Sequence, residues 1–351
     1  MGSYTPDRPA EKLWIETPLI PSTAMSRAAG CNIFLKLENL QPSGSFKQRG
    51  VGNMMLRATR ASKAAGGTGD VHFYCSSGGN AGLACATAAA ALGRRCTIVV
   101  PTLISEFMMA KLRLLGAEVV RTGAHWAEAD AYLRGELLAK DPAGVYVPPF
   151  DHPHLWEGAS TIVEELAPQL AALGVPRGPD GIVCNCGGGG LLSGVMDGVE
   201  RVSAQESWSS RPKPEVLVVE TVGAESLHAS VQAGELVTLP AITSIATSLG
   251  APTVARQAYE WSKKEHLTSI VVTDAEAVMG SVKLANDALL LVEAACGATI
   301  APVYNGDLRK WLGKGLSGEE WSKKNVVLIV CGGANISLGI LRGYQEKYGV
   351  E

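Results

Sequence analysis

Gly181-Ile182-Val183-Cys184-Asn185-Cys186-Gly187-Gly188-Gly189-Gly190-Leu191-Leu192-Ser193-Gly194 is an apolar run that breaks into four consecutive glycines and then into a helical pattern. A strand, a glycine loop and a helix in that order form the building unit of an α/β protein. Four glycines leave backbone N–H groups bare of side chains, and the helix N-terminus behind them adds positive potential. Together they are a means of gripping a phosphate. A plain glycine turn accounts for the same residues at this point. A Walker loop does not, because no Gly-Lys-Ser/Thr follows. A dinucleotide fingerprint does not either: Leu192 and Ser193 fall where a third glycine is needed, and no acidic residue ends the next strand at the usual distance. What remains is a small phosphorylated ligand.

The same alternation runs outward in both directions. β-Branched runs at Ile33–Lys36, Val71–Cys75, Cys96–Val100, Glu118–Arg121, Val216–Glu220, Ser269–Thr273 and Val326–Val330 predict strands. Helices are predicted over Ala81–Leu92, Ser105–Leu115, Glu157–Leu173, Leu191–Glu200, Pro252–Lys263, Ala275–Leu291 and Ile336–Glu346. This is α/β architecture with mainly parallel strands, and the runs at Val71, Gly181 and Val326 are apolar enough to be covered on both faces. Ala64–Asp70, Val202–Pro214 and Tyr304–Lys324 read as loops, and Val147–His154 as a hinge. The expected organisation is a small domain over 41–150, inserted into a large one made from 1–40 and 151–351.

With 351 residues the chain has room for two ordinary cores. A hydrophobic content of 46% against 19% charged residues marks a folded protein. The net charge of −3, without a basic cluster, argues against nucleic acid or an anionic membrane as partner. The eight cysteines are scattered through apolar runs, which fits buried thiols in a reducing compartment, and Cys184-Asn185-Cys186 is no zinc spacing. The N-terminus carries no apolar signal core and no apolar run is long enough to span a bilayer, so a cytoplasmic protein is expected.

Two further loops follow apolar strands: Cys75-Ser76-Ser77-Gly78-Gly79-Asn80-Ala81-Gly82 and Cys331-Gly332-Gly333-Ala334-Asn335. The first offers hydroxyls, N–H groups and an amide to a small polar ligand; Ser77 or Asn80 as a simple helix N-cap is the alternative. Pro42-Ser43-Gly44-Ser45-Phe46-Lys47-Gln48-Arg49-Gly50 places one lysine directly after an aromatic ring. A lysine in dry surroundings has its charged form disfavoured and becomes a nucleophile or base, as Schiff-base chemistry requires. A surface lysine at a helix start is the plainer reading of that segment alone. Loops gathered at the carboxyl ends of parallel strands are where open α/β sheets bind ligands.

These segments occur in the order seen in serine/threonine dehydratases, and the chain resembles that family of fold-type-II, tryptophan-synthase-β-like pyridoxal-phosphate enzymes. Ser43-Gly44-Ser45-Phe46-Lys47, Ser76-Ser77-Gly78-Gly79-Asn80-Ala81-Gly82, Gly187-Gly188-Gly189-Gly190-Leu191 and Cys331-Gly332-Gly333 carry the likeness. Glu220-Thr221-Val222-Gly223-Ala224, Thr243–Gly250 and Glu293-Ala294-Ala295-Cys296-Gly297-Ala298 add to it. The resemblance implies two open, mostly parallel twisted sheets flanked by helices, with the active site in the cleft between domains. It implies that Lys47 holds pyridoxal 5'-phosphate as a Schiff base with Phe46 against the ring. Asn80 would then bond the phenolic oxygen, Gly187, Gly188, Gly189, Gly190 and Leu191 the phosphate, and Cys331 would face the pyridine nitrogen. Ser76, Ser77, Gly78, Gly79 and Asn80 resemble the substrate-carboxylate site, and Ser77 joins Lys47 as the catalytic pair. Glu220, with carbonyls of Gly187, Ala224, Leu249 and Ala251, resembles a monovalent-cation site suited to K+; a strand-end acid in water is the plain alternative for Glu220.

The implied reaction is β-elimination from L-serine or L-threonine. Lys47 removes the α-proton, the β-hydroxyl departs with a proton from the cofactor phosphate, and aminoacrylate (or its homologue) hydrolyses to pyruvate or 2-oxobutanoate plus ammonia. A thiol at Cys331 suits elimination, since it cannot stabilise a fully protonated pyridinium. Racemases of this fold carry a serine where Gly78 stands, so racemisation should be weak. Ser248 stands where liver-type members have alanine, and Ala294 and Ala334 replace a commoner proline and serine. The chain ends soon after the Cys331 loop, so a catabolic, effector-insensitive enzyme is expected, and a homodimer is the expected assembly. A β-replacement synthase of the cysteine-synthase kind, a lyase for another β-substituted amino acid, and a binding protein that keeps the fold without turnover are the rival readings.

Overall fold

A computed structural model describes residues 12–175, 178–204 and 212–350. Its strands are β1 (Leu19–Pro21), β2 (Asn32–Lys36), β3 (His72–Cys75), β4 (Arg95–Val100), β5 (Glu118–Arg121), β6 (Gly144–Tyr146), β7 (Gly181–Asn185), β8 (Glu215–Thr221), β9 (Leu267–Val272) and β10 (Asn325–Ile329). They form two sheets, ordered β1-β2-β10-β7-β8-β9 and β5-β4-β3-β6. Only the β1–β2 pairing is antiparallel among the described residues. The chain divides into two compact units, one of Gln41–Gly158 with the segment up to Ile15, the other of Glu16–Leu40 with the chain from Ala159 onward.

In the larger unit every residue of β7 is buried, as are Val326–Ile329 of β10. Two covered faces explain why these runs lack the alternation of a half-exposed strand. Val327 pairs with Phe34 on one side and Ile182 on the other, so β7 and β10 run side by side in the same direction. The chain after β7 winds toward β8 and β9, while β2 lies beyond β10. That reversal is a topological switch point, where neighbouring loops part and a ligand can enter. The loops Gly187–Gly190 and Cys331–Asn335 leave these two strands. In the same unit the helices Asp274–Ala288 and Ala294–Asn305 cross at Gly280 and Gly297, each lying where an added Cβ would run into backbone of the other helix.

In the smaller unit β3 lies between β4 and β6. The Ser76–Gly79 loop follows β3, and the helix Asn80–Leu92 follows the loop. Beneath the sheet Tyr74, Val99, Ala129 and Leu133 form one apolar cluster. No described helix is long and apolar enough to cross a membrane.

Three expectations change. The helix predicted over Glu157–Leu173 is two helices, Pro153–Glu164 and Leu166–Ala172. Pro168 explains the break: it lacks the N–H that Glu164 would accept, and it is tolerated in the first turn of a new helix. Tyr304–Lys324 is not a plain loop, because it folds the short helices Asp307–Leu312 and Gly318–Ser322, the latter begun by a Ser317/Glu320 capping box. Of the loop expected at Val202–Pro214, residues 205–211 lie outside the described residues, and Val202 and Ser203 finish the helix Gly190–Ser203.

Candidate active site

Lys47 is the first residue of the helix Lys47–Ala64, a position that favours anions over cations. Gly44, at φ +78°, turns the chain into it. The Lys47 Nζ donates to the Pro149 carbonyl at 2.9 Å and lies 5.0 Å from the Phe46 ring centroid. Pro149 follows β6 and Cys75 ends β3. The Cys75 thiol is held below its usual pKa first by its contact with Cys85, against burial, and further by the Ser77 backbone and the charge of Lys47. Lys47 therefore stands at the carboxyl end of this sheet, beside the loop that begins at Ser76. The hydroxyls of Ser43 and Ser45 are buried without a hydrogen-bond partner among the described residues.

The Ser76–Asn80 loop differs from a simple cap. Gly79 is the N-cap, Asn80 the first helical residue, and the Ser77 Oγ accepts the Gly79 N–H at 3.3 Å. Ser76, read from sequence as substrate-binding, is fully buried, and its Oγ donates to Asp130 Oδ1 at 2.6 Å. Gly82 has to be glycine, since a Cβ there would collide with the Ser77 carbonyl. A Cβ on Gly78 would collide with Ile104 Cδ1 and meet Val100 Cγ1 at 3.1 Å, so an isoleucine fills the space beside this glycine.

In the larger unit Gly189 adopts φ +91°, a left-handed turn that starts the helix Gly190–Ser203. The N–H groups of that first turn have no carbonyl within the helix to bond. Gly187 packs so close to the Leu249 turn that a Cβ would lie 2.8 Å from the Leu249 Cα. Bare N–H groups at a helix start, on a loop with no room for a side chain at Gly187 or Gly189, fit the phosphate of pyridoxal phosphate. At the end of β7, Asn185 Nδ2 donates to Cys331 Sγ, just past the end of neighbouring β10, at 3.1 Å and to the Ala295 carbonyl at 2.5 Å. Contact with Cys296 and burial push the Cys331 thiol well above its usual pKa, so it is neutral. A neutral partner fits an unprotonated pyridine nitrogen.

Glu293 is a residue whose role sequence reasoning missed. Its carboxylate accepts the Ser248 hydroxyl and the Asn335 N–H, the latter at 2.8 Å. Gly333, at φ +117°, lies against the same carboxylate, which thus ties the Ser248 turn to the Cys331–Asn335 loop. Ser248, noted above as a departure from the liver-type pattern, is what makes that tie.

Glu220 is fully buried, and burial pushes its pKa up to about 8 against the opposing pull of two backbone N–H groups. These belong to Leu227 (2.9 Å) and His228 (2.7 Å), at the start of the helix Ser226–Ala233. It is not the strand-end acid in water of the plain reading. The Ala224 N–H bonds to the Thr221 carbonyl, and the Leu249 carbonyl accepts the Ala251 N–H at 2.8 Å. Of the expected cation ligands, the Glu220 carboxylate and the Leu249 carbonyl thus already accept backbone N–H groups.

The family model for pyridoxal-phosphate dependent enzymes matches residues 11–332. The chain belongs to that family. It is 43% identical to the L-serine dehydratase/L-threonine deaminase of Bos taurus over 97% of both chains. It is 44% identical to a human serine dehydratase-like protein over 97% of this chain and 96% of that one. Among solved structures, a fungal L-serine ammonia-lyase from Rhizomucor miehei superposes with a TM-score of 0.84 at 35% identity, covering 96% of this chain and all of that one. The fold is accordingly fold-type II, with two parallel-rich sheets flanked by helices.

Proposed function

We propose that this protein is an ammonia-lyase that uses pyridoxal phosphate to convert L-serine, L-threonine or both into pyruvate or 2-oxobutanoate plus ammonia. The observation that carries the reading is the amine of Lys47 standing at the sheet end from which the Ser76–Asn80 loop springs. When bound, pyridoxal phosphate supplies the electron withdrawal that loosens the α-proton of an amino acid. Lys47 takes that proton, since an unprotonated primary amine on a fixed helix start can serve as a base, and in the net reaction the α-proton and the β-hydroxyl leave the substrate together as water. The N–H groups of Ser77 to Asn80 hold the substrate carboxylate, and those of Gly187 to Leu191 hold the phosphate. The neutral Cys331 thiol keeps the ring from storing full negative charge, which favours prompt loss of the β-hydroxyl over racemisation. Gly78, with Ile104 filling the space beside it, offers no side chain that could act as a second base at that position.

The same reading places a K+ ion near Glu220, Gly187, Ala224, Leu249 and Ala251, and takes the protein to be a cytoplasmic homodimer. All eight cysteines are buried and none is in a disulfide, in keeping with a reducing compartment.

The test is a 2-oxo acid assay of purified holoenzyme over L-serine, L-threonine and other β-substituted amino acids, with Lys47→Ala beside it. Serine or threonine alone should give 2-oxo acid and little D-isomer, and Lys47→Ala should lose at least about a thousandfold in kcat. Product formation only with an added nucleophile would make the protein a synthase instead, and spectral shifts without product would make it a binder.

A further inference from the structure

Asp130 gathers polar groups behind the Ser76–Asn80 loop. Its Oδ1 accepts the Ser76 hydroxyl at 2.6 Å and the Tyr146 hydroxyl at 2.6 Å. Its Oδ2 accepts Arg134 Nε at 2.7 Å, and the Arg134 guanidinium lies 3.9 Å from the Tyr146 ring centroid. Tyr146 ends β6, the strand beside β3, so the carboxylate ties together the ends of two neighbouring strands. Burial alone would raise the Asp130 pKa; the bonds from Ser76, Tyr146 and Arg134 outweigh it and hold the group ionised. Asp130 sits on the helix Trp126–Tyr132, which runs on into a π-helical turn at Leu133–Leu137 carrying Arg134. Such widened turns are uncommon and recur at functional sites.

We propose that Asp130 is a positioning residue for substrate: by fixing Ser76 it fixes the Ser77–Asn80 backbone that receives the amino-acid carboxylate. The inference rests on the functional reading of that loop given above. Two of the next three residues are glycines, whose backbones have the most freedom to lose. A loop of that kind presents its N–H groups in one geometry only if one end is held, and Ser76 is joined to Ser77 by a rigid peptide. Holding the loop before substrate arrives removes an ordering penalty from binding. Lys47 has a separate anchor at Pro149, so loss of the Asp130 tie should weaken substrate binding while the proton-transferring amine stays in place.

The experiment compares holoenzymes of wild type, Ser76→Ala, Asp130→Ala (an amide at 130 would still accept the Ser76 hydroxyl) and the double variant. It reads kcat and KM for L-serine, the spectral Kd for amino acid, and the absorbance of bound cofactor. Each single variant should raise KM and Kd about tenfold or more, with kcat within about threefold and cofactor absorbance unchanged. The double variant should be no worse than Asp130→Ala, because both single changes remove the same link. Unchanged Kd in both variants, parallel losses of kcat and cofactor, or additive effects in the double variant would overturn the proposal. Should Asp130→Ala fail to fold, Ser76→Ala leaves the Tyr146 and Arg134 bonds in place and decides alone. A wild type that binds no amino acid would sink the functional reading, and this proposal with it; a wild type that binds, with variants that match it, sinks this proposal alone.

Discussion

Glu220 makes the clearest statement a single residue can make about pH. Its carboxyl keeps a proton up to about 8 in the folded protein against an ordinary value of 4.5. Between those values the folded state binds more protons than the unfolded one, so stability falls as pH rises through this window. The fall attributable to this group is on the order of a few kcal/mol. Glu220→Gln cannot ionise, and its unfolding free energy should be flatter than wild type between pH 5 and pH 8, as denaturant titrations at several pH values would read (about that range, from the shift itself). Curves that run parallel for the two proteins would contradict the assignment. A cation beside the carboxyl would favour its charged form, so potassium should shrink the slope in wild type and leave the variant unmoved. Lys47 and the glycine loop were legible in the sequence because each is a continuous run whose chemistry is local. Asp130, Glu293 and Ile104 were not, because folding brings them to their loops from 54, 42 and 26 residues away respectively (Ser76 to Asp130, Glu293 to Asn335, Gly78 to Ile104).

At the scale of the element, the helix Asn80–Leu92 separates function from stability within one segment. Its first turn needs Gly82 for the Ser77 carbonyl to fold back, whereas Gly93 at its far end, with φ +61°, has open space around it. Gly82→Ala should raise KM for serine at least about tenfold, since the loop must move. Gly93→Ala should cost about 1 kcal/mol through backbone strain and leave KM unchanged. Equal kinetics in the two variants would contradict the picture of the loop. The helices Asp274–Ala288 and Ala294–Asn305 make a second case, because Gly297 meets the Ala277 carbonyl and Ser281 across their crossing. Gly297→Ala should destabilise by about 2–3 kcal/mol in denaturant unfolding. That helix escaped the sequence reading, since Gly297 and Pro302 interrupt its pattern and Ala294–Val303 is buried all round, leaving no polar face to mark a period.

For the molecule as a whole, the order of apolar runs was enough to give α/β class and the parallel strands, since strands such as β7 and β10 are covered on both faces and read as continuous Val/Ile/Leu tracts. β1 and β6 were missed: each has three residues, too few for a period to show, and each lies at the edge of its sheet. The strand order was not legible either, because β10 reaches its place between β2 and β7 only after the rest of its sheet has been laid down in sequence. Cofactor loading should stabilise the fold by mass action, about 2.7 kcal/mol at a hundredfold excess over Kd for a reversible ligand, and more where a covalent link forms. Thermal unfolding of stripped and reloaded protein should therefore differ by several degrees, and Lys47→Ala should gain less than wild type on loading (roughly 2–4 °C per kcal/mol for a chain of this size). The most direct measurement is borohydride reduction of the holoenzyme followed by peptide mass mapping. A pyridoxyl group on the peptide that carries Lys47 is the predicted result; a cofactor released intact by denaturation, or an adduct on another lysine, would contradict the account.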